Sequence, residues 1–213
     1  MHPFAPLAFV AVGLTFASTA PAQPAVFASP AAALAALFPQ QTFVEWTSTQ
    51  GDWNGDGLRD LALIANEQNG PPDRQMEFRL VVLAGRGDGR YTLLSASSRY
   101  CKAQKFFNLD AKGPSLYATA VDKAEGDDLG STTLQFRFNP RRGDFELLGK
   151  ESVWTAQGRV EGRSSVNYLA GRLVRHERTA GRLKVAEDKR FAVPALPALQ
   201  GFDCDTYESG GLP

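Results

Sequence analysis

From Thr42 onward the chain alternates apolar and polar residues with a period of two. Met76, Phe78, Leu80, Val82 and Ala84 are interleaved with Glu77 and Arg79, the pattern of a strand with one buried face. Gly85-Arg86-Gly87-Asp88-Gly89 then supplies a turn, and 91–95 a returning strand, so the stretch predicts a hairpin. Downstream, segments 116–122 and 132–138 bracket an acidic, glycine-containing link over 125–130. In the second of them Leu134, Phe136 and Phe138 face away from Thr133, Gln135 and Arg137. Residues 139–144 turn the chain into 145–153, and further strands are expected at 164–169, 172–178 and 183–191, the last two joined by Thr179-Ala180-Gly181. A run of roughly seven to ten short strands predicts a mainly β fold, an antiparallel meander or sandwich.

One helix precedes the strands. Ser29 is placed to cap it, Pro30 to open its first turn, and 31–38 to form its body before Pro39 stops it. Ahead of it, residues 1–22 contain no Lys, Arg, Asp or Glu, and 7–16 is an apolar stretch followed by Ala20-Pro21-Ala22. That is the layout of a cleaved export signal, too short to span a bilayer. The expected organisation is a signal over 1–22, a helical segment over 23–41, a β domain over 42–193 and an irregular tail over 194–213, where Pro194 and Pro197 end regular structure. The expected location is the periplasm or the outside of the cell.

The alternation is broken by Asp52-Trp53-Asn54-Gly55-Asp56-Gly57-Leu58-Arg59-Asp60, which runs directly into the apolar residues 61–65. Oxygen-bearing side chains stand at loop positions 1, 3, 5 and 9, glycine at 6, and at 7 Leu58 offers its carbonyl; this is the arrangement of a calcium loop. Asp, Asn and Gly also mark ordinary turns. A plain turn does not call for three aspartates, however, and without a cation Asp52, Asp56 and Asp60 repel one another, with Arg59 relieving only part of that. Position 12 is Leu63 rather than the bidentate Glu of an EF-hand. The pattern Asp-x-Asn-x-Asp-Gly-x-x-Asp followed by Leu-Ala-Leu-Ile resembles the FG-GAP or VCBS type of calcium loop over residues 51–65. That resemblance implies a strand–loop–strand hairpin with Asp52, Asn54, Asp56, the Leu58 carbonyl and Asp60 as Ca2+ ligands. In those families the loop recurs once per propeller blade, whereas one copy stands here, so a full propeller is not expected. One loop early in a short exported β-rich chain also resembles small exported bacterial proteins of unassigned function.

Composition removes several alternatives. The 23 basic and 23 acidic residues cancel, which leaves no footprint for nucleic acid or an anionic membrane. Residues 137–190 do hold 13 Lys or Arg against 7 Asp or Glu, as solvated strand faces do. Cys101 and Cys204 are the only cysteines; in an oxidising compartment they are expected to pair as a disulfide that ties the tail to the middle of the chain. Once the signal is removed His176 is the only histidine; a Ser-His-Asp site would have to use it, but it falls on a strand face with Val174 and Arg178 and no Gly-x-Ser-x-Gly elbow occurs, so it is read as an ordinary surface histidine, and zinc catalysis lacks ligands. Asp127-Asp128, or Asp203 with Asp205, could serve as a carboxylate pair for glycan hydrolysis. The two Arg-Gly-Asp triplets, 86–88 and 142–144, fall at expected turns, where Gly and Asp are favoured for backbone reasons. The expected protein is a monomeric, exported, non-enzymatic β-protein with a structural calcium loop, a binding module for a protein or cell-envelope partner; a cell-wall or glycan hydrolase is the alternative.

Overall fold

This computed structural model describes residues 24–68, 77–99, 101–102, 105–123, 129–193 and 195–203. The export signal over 1–22, Asp127-Asp128, Asp205 and Cys204 lie outside the described residues. Among these residues the fold is mainly β with one short helix, as the alternation predicts. It is built from β1 (Val26–Phe27), α1 (Pro30–Leu37), β2 (Phe43–Gly51), β3 (Asp60–Glu67), β4 (Glu77–Gly85), β5 (Tyr91–Ala96) and β6 (Cys101–Lys102) in its first half. The second half comprises β7 (Lys105–Lys112), β8 (Ser115–Lys123), β9 (Leu129–Asn139), β10 (Asp144–Ala156), β11 (Arg159–Asn167), β12 (Arg172–Thr179) and β13 (Arg182–Arg190). The Ser29 hydroxyl accepts the Ala32 N–H at 3.2 Å, which satisfies one of the unpaired donors of the first helical turn, and Pro30 follows at the position where no donor is needed.

Both sheets are antiparallel. The first runs β1-β5-β4-β3-β2 with β6 beside β4, and the second runs β13-β12-β11-β10-β9-β8-β7, a meander in strict chain order. Trp53, Ile64, Phe78, Leu80 and Val82 from the first half pack against Phe107, Leu116, Phe136, Phe145 and Leu147 from the second, which makes the main core. The opposite face of the first sheet, with Leu61, Leu63, Val81 and Leu83, is covered by Ala33 and Leu34 of α1 together with Phe27 and Phe43. Every residue of β3 is buried, so its sequence reads as a continuous apolar run rather than an alternation. The layers are therefore helix, sheet and sheet, and no element among the described residues covers the outer face of the seven-stranded sheet.

The turn between β12 and β13 has Ala180 at φ 50° and Gly181 at φ 78°, positive at both central residues as tight hairpins require. Gln157 and Gly158 do the same between β10 and β11, with φ of 51° and 71°. This lengthens those strands beyond the expected 145–153 and 164–169. Strand β7 is one that the alternation did not mark. The described part of the tail, 195–203, belongs to the core: Leu199 is 0 % exposed and Phe202 4 %. The Leu147 N–H donates to the Pro197 carbonyl at 2.9 Å and the Leu199 N–H to the Phe145 carbonyl at 2.8 Å, so the tail lies along the start of β10.

Candidate functional site

The 52–60 loop joins β2 to β3 as a strand–loop–strand hairpin. Gly55 and Gly57 take φ of 76° and 83°, left-handed conformations that side-chain-bearing residues adopt only at a cost. Around them the polar side chains bind the loop's own backbone. Asp52 accepts the Gly55 N–H at 2.9 Å with one oxygen and the Gly57 N–H at 3.1 Å with the other. Asn54 Oδ1 accepts the Asp56 N–H at 3.0 Å, and Asp56 Oδ1 accepts the Leu58 N–H at 2.8 Å. The Asn54 amide nitrogen donates to the second Asp56 oxygen at 2.9 Å. All but the last are local side-chain-to-backbone bonds of the kind that stabilise turns.

Asp60 behaves differently. It is 0 % exposed, with Oδ2 accepting the N–H groups of Trp53 at 2.9 Å and Asn54 at 3.3 Å and Oδ1 accepting that of Gly85 on β4 at 3.2 Å. Burial pushes its carboxyl above the usual range, the three backbone donors pull the other way, and the Asp56 charge adds to the rise. Among the described residues no Lys, Arg or His forms an ion pair with it; neighbouring Arg59 reaches the Gln50 side-chain oxygen instead. Trp53, at loop position 2, turns inward to 4 % exposure and meets Phe145 edge-on at 6.3 Å. Gly51 makes room for it, since a Cβ there would stand 2.6 Å from the indole.

The turn thus collects Asp52, Asn54, Asp56, the Leu58 carbonyl and Asp60 on nine residues, a set of hard oxygen donors suited in kind to calcium. It does not hold them as a preformed cage. Among the described residues no group of three or more His, Cys, Asp or Glu side chains is placed to hold a metal ion, because the carboxylates point at backbone N–H groups. No family model, curated protein or solved structure matches this chain.

The other sequence candidates are dispersed. Asp203 forms an ion pair with Arg99, close to where Cys101 sits in β6. His176 lies in β12 opposite Arg163 and Val185, among strand neighbours and not beside a nucleophile. Asp88 of the first Arg-Gly-Asp triplet is held by Arg90, which lowers its carboxyl to about 2. Asp144 of the second is a buried clamp: it accepts from the Ser95 hydroxyl on β5, the Phe145 N–H at 2.7 Å and the Gln200 N–H at 3.1 Å. That role, linking both sheets to the tail, has no local signal in the sequence. The pattern along the chain also gave no hint of a polar depression of about 460 Å³ on the open face of the seven-stranded sheet.

No helix among the described residues is long and apolar enough to cross a membrane.

Proposed function

We propose that this is an exported, non-enzymatic β-protein that works by binding a partner, a protein or a component of the cell envelope, and that its 52–60 loop takes up Ca2+ for structural reasons. The observation that carries the calcium reading is the Asp60 carboxylate. It is buried without a cationic side chain, and a buried charge balanced only by N–H dipoles is an unfavourable arrangement that a bound cation relieves. Asp52, Asn54, Asp56 and the Leu58 carbonyl would supply the remaining oxygens; the ion would compete for oxygens now used by backbone donors and by the Asn54 amide. Because those hydrogen bonds already close the turn, the metal-free protein is expected to stay folded. Affinity is expected in the roughly 0.1–1 mM range of extracellular modules.

Calcium titration followed by thermal unfolding tests this. Saturation at about 100 times Kd is expected to add roughly 2.7 kcal/mol, and Asp56→Ala, an exposed change, is expected to abolish the increment while leaving the metal-free melting temperature near wild type. An identical calcium response in Asp56→Ala, or none in the wild type, overturns the site.

A hydrolase receives less support. It needs two carboxylates free to act on one bond, and Asp203 is engaged by Arg99. We further propose that Cys101 and Cys204 are bridged, since the Arg99–Asp203 pair brings together residues two positions before Cys101 and one before Cys204. Thiol titration of the unfolded, unreduced protein isolated from the cell envelope is expected to find no free cysteine, and two free thiols would reject the bridge.

A further inference from the structure

The open face of the seven-stranded sheet carries two adjacent cross-strand rows, each crossing five strands from β7 to β11. Asn108, Thr119, Thr133, Glu151 and Ser165 are register partners in the first. Asp110, Tyr117, Gln135, Gly149 and Asn167 are register partners in the second. No position in either row is aliphatic, although alternation requires only that this face be tolerant of water. At strand spacing the rows extend roughly 19 Å, and together they line the 460 Å³ depression.

The middle of the depression is shaped by a bulge. The register of β10 against β9 shifts between Leu147 and Gly149, which bends the strand and leaves the nearly buried Leu148 in the lining. Gly149 beside it adds no side chain, and a Cβ there would press to 3.2 Å on the Val166 carbonyl. The lining therefore holds an apolar spot and the half-buried Tyr117 ring, over which the Lys112 ammonium stands 5.5 Å from the centroid, so a ligand face laid on the ring takes the place of that ammonium.

The charges at the rim cancel locally. Asp110 and Glu151 stand against Lys112 and Lys150 in the lining, with Asp110 3.4 Å from Lys112 and Glu151 2.6 Å from Arg163. What remains to meet a ligand is neutral. The Tyr117 hydroxyl and the Asn108 amide have no hydrogen-bond partner among the described residues, while Thr119 and Thr133 share one bond at 2.9 Å that leaves each hydroxyl further capacity. A site with balanced charge, a ladder of neutral donors and acceptors and one ring beside an apolar floor selects a ligand with many hydroxyls, no net charge and C–H faces that can lie on an aromatic ring.

We propose that this depression binds a neutral oligosaccharide chain lying across the strands. The proposal rests on the reading of the protein as a binding module and names the ligand class and the surface. It is independent of the calcium loop, which is in the other sheet.

The test is calorimetric titration of the full-length mature protein with cellotetraose and chitotetraose, run alongside an anionic tetrasaccharide and followed by chromatography of the sugars. Saturable binding of a neutral tetrasaccharide is expected, weakened about tenfold in Tyr117→Ala and several-fold in Asn108→Ala, losses of the size of one or two hydrogen bonds or a stacking contact. Asn108 is exposed, so its replacement leaves the fold intact, and Asp56→Ala is expected to bind the sugar as the wild type does. No binding of either neutral sugar up to about 10 mM, equal binding by both groove variants, or preference for the anionic sugar overturns the proposal. Shortening of the sugar that is lost in the groove variants supports the site and overturns the non-enzymatic reading.

Discussion

Asp60→Ala is expected to destabilise the protein by about 3 kcal/mol, far more than the loss of either other aspartate in the loop. The Trp53, Asn54 and Gly85 N–H groups all lose their acceptor at once, and a buried donor left unpaired costs roughly 1–3 kcal/mol. Relief of the buried charge returns part of that sum, which is why the three terms do not simply add. At about 2–4 °C per kcal/mol for a chain of this size the melting temperature should fall by roughly 6–12 °C. Trp53 reports the event directly: it is buried against Phe145 and its N–H is one of the orphaned groups, so its fluorescence should shift toward that of a hydrated indole in the folded baseline. Asp52→Ala loses two bonds to exposed glycine N–H groups, where water substitutes, and should cost well under half as much. Similar losses in the two variants would mean that Asp60 is not the anchor of the loop.

The contrast between these two aspartates marks how far the sequence could be read. The position of the loop, its two left-handed glycines and the hairpin around it follow from residue types, because Asp, Asn and Gly in that order favour one kind of turn. Whether a given carboxylate faces an ion, solvent or a strand does not follow. Gly85 is twenty-five residues away from Asp60 and reaches it only through the β3–β4 pairing. The same division holds through the fold. Strand β4 and the turn at Ala180-Gly181 carry local signals of period and backbone conformation, and both were legible. The hairpin at Gln157-Gly158 uses glutamine where asparagine is the usual marker, so the sequence marks its strands as shorter than they are. The polar rows across β7 to β11 are scattered over some sixty residues and become adjacent only when the register is known. Asp144 resembles one more turn aspartate until Ser95 and Gln200 are brought to it from opposite directions along the chain.

The second large effect concerns the tail. A chain ending after Val193 is expected to lose more than about 5 kcal/mol, on the order of the whole stability of many domains, and therefore to be largely unfolded or aggregated at 25 °C. Leu199 and Phe202 are both buried in the core, and Phe202 meets Phe136 edge-on at 5.5 Å. Removing a buried Leu costs roughly 2–5 kcal/mol and a buried Phe roughly 3–5. Truncation also strips the Leu147 N–H and the Phe145 carbonyl of their partners and takes the Gln200 N–H from the Asp144 clamp. The comparison with Cys204→Ser separates covalent from non-covalent attachment. If packing holds the tail, that variant loses at most the several kcal/mol of a loop-closing bridge and still folds with Phe202 in place. If the bridge alone holds it, Cys204→Ser and the truncated chain behave alike. Leu199→Ala resolves the case further, because it leaves both cysteines and every backbone bond untouched and should still cost about 3 kcal/mol. Equilibrium urea unfolding of the three variants measures all of this, and a truncated chain with near wild-type stability would show that the second sheet closes its core without the tail.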